Sequence, residues 1–305
     1  MNDRMRFRDW PNAQSERVNR SPHDKRGIAA LLTFWLLAIP FSAVAVASDS
    51  QISSHSTRHL TLSYEVHAGG LHIFSFDVGL ALEPDGYRIV AAGGTRGISS
   101  YLYKWDVSLK AEGDGKRPGR YMTVNTSRPP IKTMELEFVE DGSFSVTRNV
   151  PESPDETAEE QVLPAQLPAN IADPLSASLM AVKTLAATGS CVQIIPVFDG
   201  KRRFDVLLHD AGTTDLPKSR LSSYEGPAIL CGLGIQRISG FKKPRRHVGQ
   251  WDQDKDEPPK LWIAQVRPDM PPVLVRFTGA LALGSIVVHL TKVESSQEFA
   301  STALP

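Results

Sequence analysis

From Leu60 onward, apolar and polar residues alternate with a period of two, the pattern of strands buried on one face. In "LTLSYEV", Leu60, Leu62, Tyr64 and Val66 share a face, with Thr61, Ser63 and Glu65 on the other. After Gly69-Gly70, "LHIFSFDVGLAL" repeats the pattern, with Phe74, Phe76, Val78, Leu80 and Leu82 pointing one way. Asp85-Gly86 turns the chain into "YRIVAAGG". "SYLYKWDVSLK" then sets Tyr101, Tyr103, Trp105, Val107 and Leu109 opposite Lys104, Asp106 and Ser108. Shorter strands are predicted over 121–125, 133–139 and 144–148, the last two joined at Asp141-Gly142. The clearest hairpin joins "VQIIPVF" to "RRFDVLL" through Asp199-Gly200, with Asp199 as a type I′ turn residue. A strand near 228–237 and a closing meander over 260–266, 273–278 and 285–292 follow.

One segment breaks this period. In "DPLSASLMAVKTLAATG", Asp173 caps a helix, Pro174 occupies its first turn and Gly189 stops it. Leu175, Leu179, Val182 and Ala186 fall on one face, and small apolar residues flank them. A helix apolar almost all round is buried rather than displayed. About ten strands at ~4.8 Å each would make a flat sheet nearly 50 Å wide. A helix of about fourteen residues is only ~20 Å long and cannot cover that face. The predicted fold is therefore mainly β: a curled antiparallel sheet forming a barrel or half-barrel, with one apolar helix (about 173–187) packed in or across its interior. A transmembrane barrel needs lipid-facing apolar residues around a polar lumen, which leaves no place for such a helix.

The sequence has 305 residues, 41% hydrophobic and 22% charged, an ordinary globular composition with a formal net charge of zero. That balance implies no general attraction to nucleic acid or acidic lipid. The first 47 residues read as a signal peptide. Arg17, Arg20, Lys25 and Arg26 precede an uncharged apolar run from Ile28 to Ala47, which ends in Ala45-Val46-Ala47. Cleavage after Ala47 is expected, which makes the protein periplasmic. The competing reading is an uncleaved membrane anchor, the one route by which the chain would hold a membrane. Residues 48–58 form a mobile lead-in, 59–293 a single β-rich domain and 294–305 a tail. Cys191 and Cys231, the only cysteines, are expected to pair in an oxidising compartment.

Candidate chemistry is sparse. His67 and His72 flank the Gly69-Gly70 turn without a third ligand, and His72 falls on the apolar-patterned face. His209-Asp210 and His289 stand isolated, so no metal site is expected. "CGLGIQRISG" holds Gly232 and Gly234 without the third glycine of a dinucleotide loop. No Gly-x-Ser-x-Gly elbow occurs, and neither catalytic residues nor a cofactor is expected. The loops 151–168 and 242–259 carry most of the clustered charge. Lys242, Lys243, Arg245, Arg246 and Trp251, extended by Lys201, Arg202 and Arg203, could meet an anionic head at the rim of an apolar opening.

The segments "DPLSASLMAV" and "PVFDGKRRFDV", with the secretion signal, the early Gly-Gly turn and the late meander, resemble an uncharacterised bacterial envelope family, domain of unknown function 3108. The similarity spans roughly residues 58–293. Asp173-Pro174-Leu175-Ser176 and Phe198-Asp199-Gly200-Lys201-Arg202 carry it most specifically. The resemblance implies a Gram-negative periplasmic setting and supplies no activity or functional residues. Asp173, Pro174, Asp199 and Gly200 are expected to be architectural, as cap and turn. The function expected is non-enzymatic binding of an apolar or amphiphilic envelope component, such as a lipid, inside the curled sheet. The alternative is a structural or assembly partner of another envelope protein, with a side-chain-filled core and with 151–168 and 242–259 as contact loops.

Overall fold

A computed structural model describes residues 57–97, 99–139, 141–150, 167–241, 258–281 and 284–295. The signal segment, Lys242, Lys243, Arg245, Arg246 and Trp251 lie outside the described residues, as does most of both charged loops.

Among the described residues, thirteen strands form one antiparallel sheet. They are β1 Arg58–Ala68, β2 Leu71–Leu82, β3 Gly86–Thr95, β4 Asp106–Asp114, β5 Pro118–Asn125, β6 Lys132–Phe138 and β7 Phe144–Arg148, then β8 Gln193–Phe198, β9 Arg203–Leu216, β10 Gly226–Ser239, β11 Lys260–Ala264, β12 Val273–Leu281 and β13 Gly284–Glu294. A short helix, α1 (Ser99–Leu102), lies between β3 and β4, and α2 (Pro174–Thr188) lies between β7 and β8. The spatial order is β7-β6-β5-β4-β3-β2-β1-β13-β12-β11-β10-β9-β8. Two meanders are thus zipped together where β1 pairs with β13, and the sheet has two free edges, β7 and β8.

Those edges meet without closing a ladder. The Phe144 ring of β7 packs edge-on against Phe198 of β8, with centroids 5.1 Å apart. Arg148 Nη2 donates to the Gly200 carbonyl at 2.7 Å. The sheet is therefore curled into an open, barrel-like wall. Its interior is the main core, including Leu60, Leu62, Leu80, Ile89, Leu136, Phe198, Val275 and Leu290.

Between β7 and β8 in the chain, α2 packs against β8 and β4. Asp173 caps it by accepting from the Leu175 and Ser176 amides, Pro174 follows, and Gly189 ends it at φ +72. Ala177 packs with Ala172, Ile195 and Val197, while Leu185 packs on the buried Cys191–Cys231 disulfide. The predicted stripe is only partly covered. Leu179 is buried and Leu175 and Val182 are half-buried, whereas Ser178, Lys183 and Ala186 are exposed. The helix is thus a side plug with one wet face, not a rod enclosed on all sides.

Three local expectations need correction. Tyr101 belongs to α1 and Tyr103 to the loop after it, so β4 begins only at Asp106 and the aromatic alternation there is not strand. Asp199 starts a four-residue loop, since Phe198 pairs with Arg203 across it. Its carboxylate accepts from the Lys201 and Arg202 amides in place of a tight two-residue turn. His72 does not share the face of Phe74. A register shift pairs Val66 with Phe74 but His67 with His72, and the extra residue reverses the alternation.

Candidate functional site

The inward faces of β1–β4 do not fill the space they enclose. A cavity of about 490 Å³ lies between them, α2 and the 271–274 segment entering β12. Leu62, Leu80, Ile89 and Leu179 line its buried part, and Phe74, Val107 and Trp105 its more exposed part. Strand alternation places most of these side chains. The size of the space has another cause: between Ile89 and Thr95, the inward face of β3 carries only Ala91, opposite Val78, and Gly93, opposite Phe76. Gly93 pairs with Phe76, and a Cβ there would lie 2.5 Å from the Phe76 Cβ. Without that Cβ, Phe76 keeps its place stacked on Tyr64, with centroids 4.8 Å apart. The run of small residues is the sequence signal for the cavity, and reading strands by their apolar positions alone passes over it.

Both hydroxyls of the wall are already engaged. Tyr64 donates to the Leu274 carbonyl at 2.9 Å, and the Ser178 hydroxyl donates to the Pro174 carbonyl at 2.9 Å. Burial pushes the Tyr64 phenol far above its ordinary value, so it stays neutral. None of the described lining residues carries a carboxylate, an imidazole or an amine.

Beside the cavity, Tyr87 donates to Ser176 Oγ at 2.7 Å, and Ser176 donates to the Asp173 carboxylate. The Asp173 side chain has no water contact. Burial raises its pKa despite the hydrogen bonds it accepts, and burial pushes Tyr87 up to about 12. This run of hydrogen bonds fastens the start of α2 to β3.

Of the expected rim residues, only those of the hairpin fall among the described residues. Lys201, Arg202 and Arg203 belong to the β8–β9 hairpin, and none lines the cavity. Arg202 bonds Asp199, its partner in the loop. Arg203 is buried and donates to Asp205 at 2.6 Å, so it presents no charge to a rim. Gly200 is packed so closely that a Cβ would meet Met134 Sδ at 2.6 Å. The hairpin tip is a seam between sheet edges.

His289 is not isolated. His67 lies 5.3 Å from His72 and 5.9 Å from His289, ring centre to ring centre, on the face of β1 away from Tyr64 and Val66. Burial, with Arg276 and His67 nearby, lowers the His289 pKa. Among the described residues no three or more His, Cys, Asp or Glu side chains are placed to hold a metal. Asp210 has a structural task, accepting from the Cys191 amide and the Ser190 hydroxyl at the disulfide corner.

An open, curled antiparallel sheet with an apolar internal cavity defines a β-barrel-like protein. The chain belongs to the family described as Protein of unknown function (DUF3108), whose model matches residues 63–291. No curated protein matches it. It is similar to the crystal structure of a beta-barrel-like protein of domain of unknown function DUF1849 from Brucella abortus. That likeness has 11% identity and a TM-score of 0.44, and it covers 79% of this chain and 99% of the other.

Proposed function

We propose that this is an exported, non-catalytic protein that binds an apolar or amphiphilic envelope component in the cavity between β1–β4 and α2. The cavity itself carries the reading. At about 490 Å³ it falls inside the range of small-molecule sites, and its wall is almost wholly aliphatic and aromatic. With both wall hydroxyls bonded to backbone carbonyls, the site offers contact area rather than reactive groups. Export is supported by the disulfide between Cys191 and Cys231 and by the apolar N-terminal run. Among the described residues no helix is long and apolar enough to cross a membrane.

Displacement of a fluorescent apolar probe by single-chain amphiphiles tests the reading. Val107 lines the cavity directly across from Gly93, so Val107→Trp should fill it. The wild type should bind the probe, and a folded Val107→Trp variant should lose that binding roughly tenfold or more. Equal binding by both proteins would remove the cavity as the site. Absence of binding by the wild type would favour a partner role instead.

A further inference from the structure

We infer that the end of the sheet holding α1 is a membrane-docking collar, through which the cavity meets the surface of an anionic bilayer. The inference rests on the cavity being a ligand site and adds where ligand enters and what lies outside.

The loops at this end form one surface. The Arg96 amide and the Ser99 hydroxyl both bond the Ile73 carbonyl, which ties the β3–β4 connection to β2. The Thr126 amide bonds the Asp106 carbonyl, which brings in the β5–β6 loop. Arg128 of that loop sits 5.5 Å from the Tyr103 ring centre.

Four large apolar or amphipathic side chains stand in water here. Tyr101 is 91% exposed, Leu71 63%, Tyr103 55% and Trp105 43%. Trp105 is also cavity wall, its ring tilted against Phe74 with centroids 5.3 Å apart, so the exposed surface runs straight into the interior. A cluster of exposed aromatics at the lip of an apolar space is costly in water and gains by resting at a bilayer interface, where Tyr and Trp rings fit best.

Charge picks the partner. The segments 96–106 and 126–132 carry Arg96, Lys104, Arg128 and Lys132 against one acidic residue, Asp106, which pairs with Lys104 at 3.6 Å. The chain as a whole is neutral, so this is a local excess of positive charge placed beside the aromatics. Phospholipid surfaces of negative charge attract such a group, and the attraction fades within a Debye length.

Co-sedimentation of the purified exported protein with vesicles tests the collar. The vesicles would be phosphatidylglycerol mixed with phosphatidylethanolamine, or phosphatidylcholine alone. The wild type should pellet with the anionic vesicles at low salt and much less with the zwitterionic ones. Tyr101→Ser with Tyr103→Ser, and separately Arg96→Glu with Arg128→Glu, should each lower the partition by roughly tenfold or more, since each interfacial cation contributes a several-fold factor. All four positions are exposed, so the variants should keep the wild-type unfolding midpoint. Val107→Trp should lose the apolar probe yet still pellet, which separates failure of the cavity from failure of the collar. Wild-type protein that stays in solution, or variants that pellet as it does, would overturn the proposal. Equal binding to both vesicle types would overturn the choice of an anionic partner.

Discussion

Asp173 shows how a buried acid can be architectural. Its carboxylate accepts two amides and the Ser176 hydroxyl, and Ser176 in turn accepts from Tyr87. Asp173→Ala should therefore cost about 2–4 kcal/mol, from a lost helix cap and a buried hydroxyl left without its acceptor. Urea unfolding would measure it. The raised pKa sets a direction with pH. A carboxyl whose pKa is higher folded than unfolded contributes stability that is present below its ordinary 3.8 and is lost as pH rises through the folded value. Asp173→Asn keeps an acceptor for the cap and cannot ionise, so its stability should fall less than the wild type's over that rise. His289 works oppositely: its lowered pKa gives stability present above 6.5 and lost on acidification through the folded value. His289→Gln should blunt that acid loss in the same unfolding series.

At the level of elements, the apolar alternation of β1 and β2 and the capped helix were legible in the sequence because each obeys one local period. What escaped prediction is non-local. Tyr101, Tyr103 and Trp105 alternate as a strand would, but the chain turns through α1 instead. His289 is far in sequence from His67 and His72 and meets His67 only because β13 returns beside β1. Arg203 reads as surface charge, yet it is buried against Asp205. The disulfide was expected from compartment logic, and the fold gives it a task. It joins Cys191, two residues ahead of β8, to β10, packed against Leu185 of α2. Cys191→Ser with Cys231→Ser should cost ~3–4 kcal/mol on the chain-entropy view of a loop of 40 residues. Comparing urea midpoints of the oxidised protein and the double variant checks this. Leu179→Ala, at the meeting of helix, core and cavity, should cost about 2–5 kcal/mol in the same assay.

For the whole molecule, topology explains both the wall and the space inside it. Two meanders zip at β1–β13 and curl until β7 and β8 touch through side chains, with α2 packed against β8 and β4. The helix shields the core, while the small residues of β3 leave room beside it. The central claim is that this space holds a ligand. Native mass spectrometry of protein purified from the envelope fraction, followed by extraction, tests it most directly. The wild type should retain an apolar or amphiphilic mass that Val107→Trp lacks. A bare wild-type mass that also takes up no added amphiphile would contradict it.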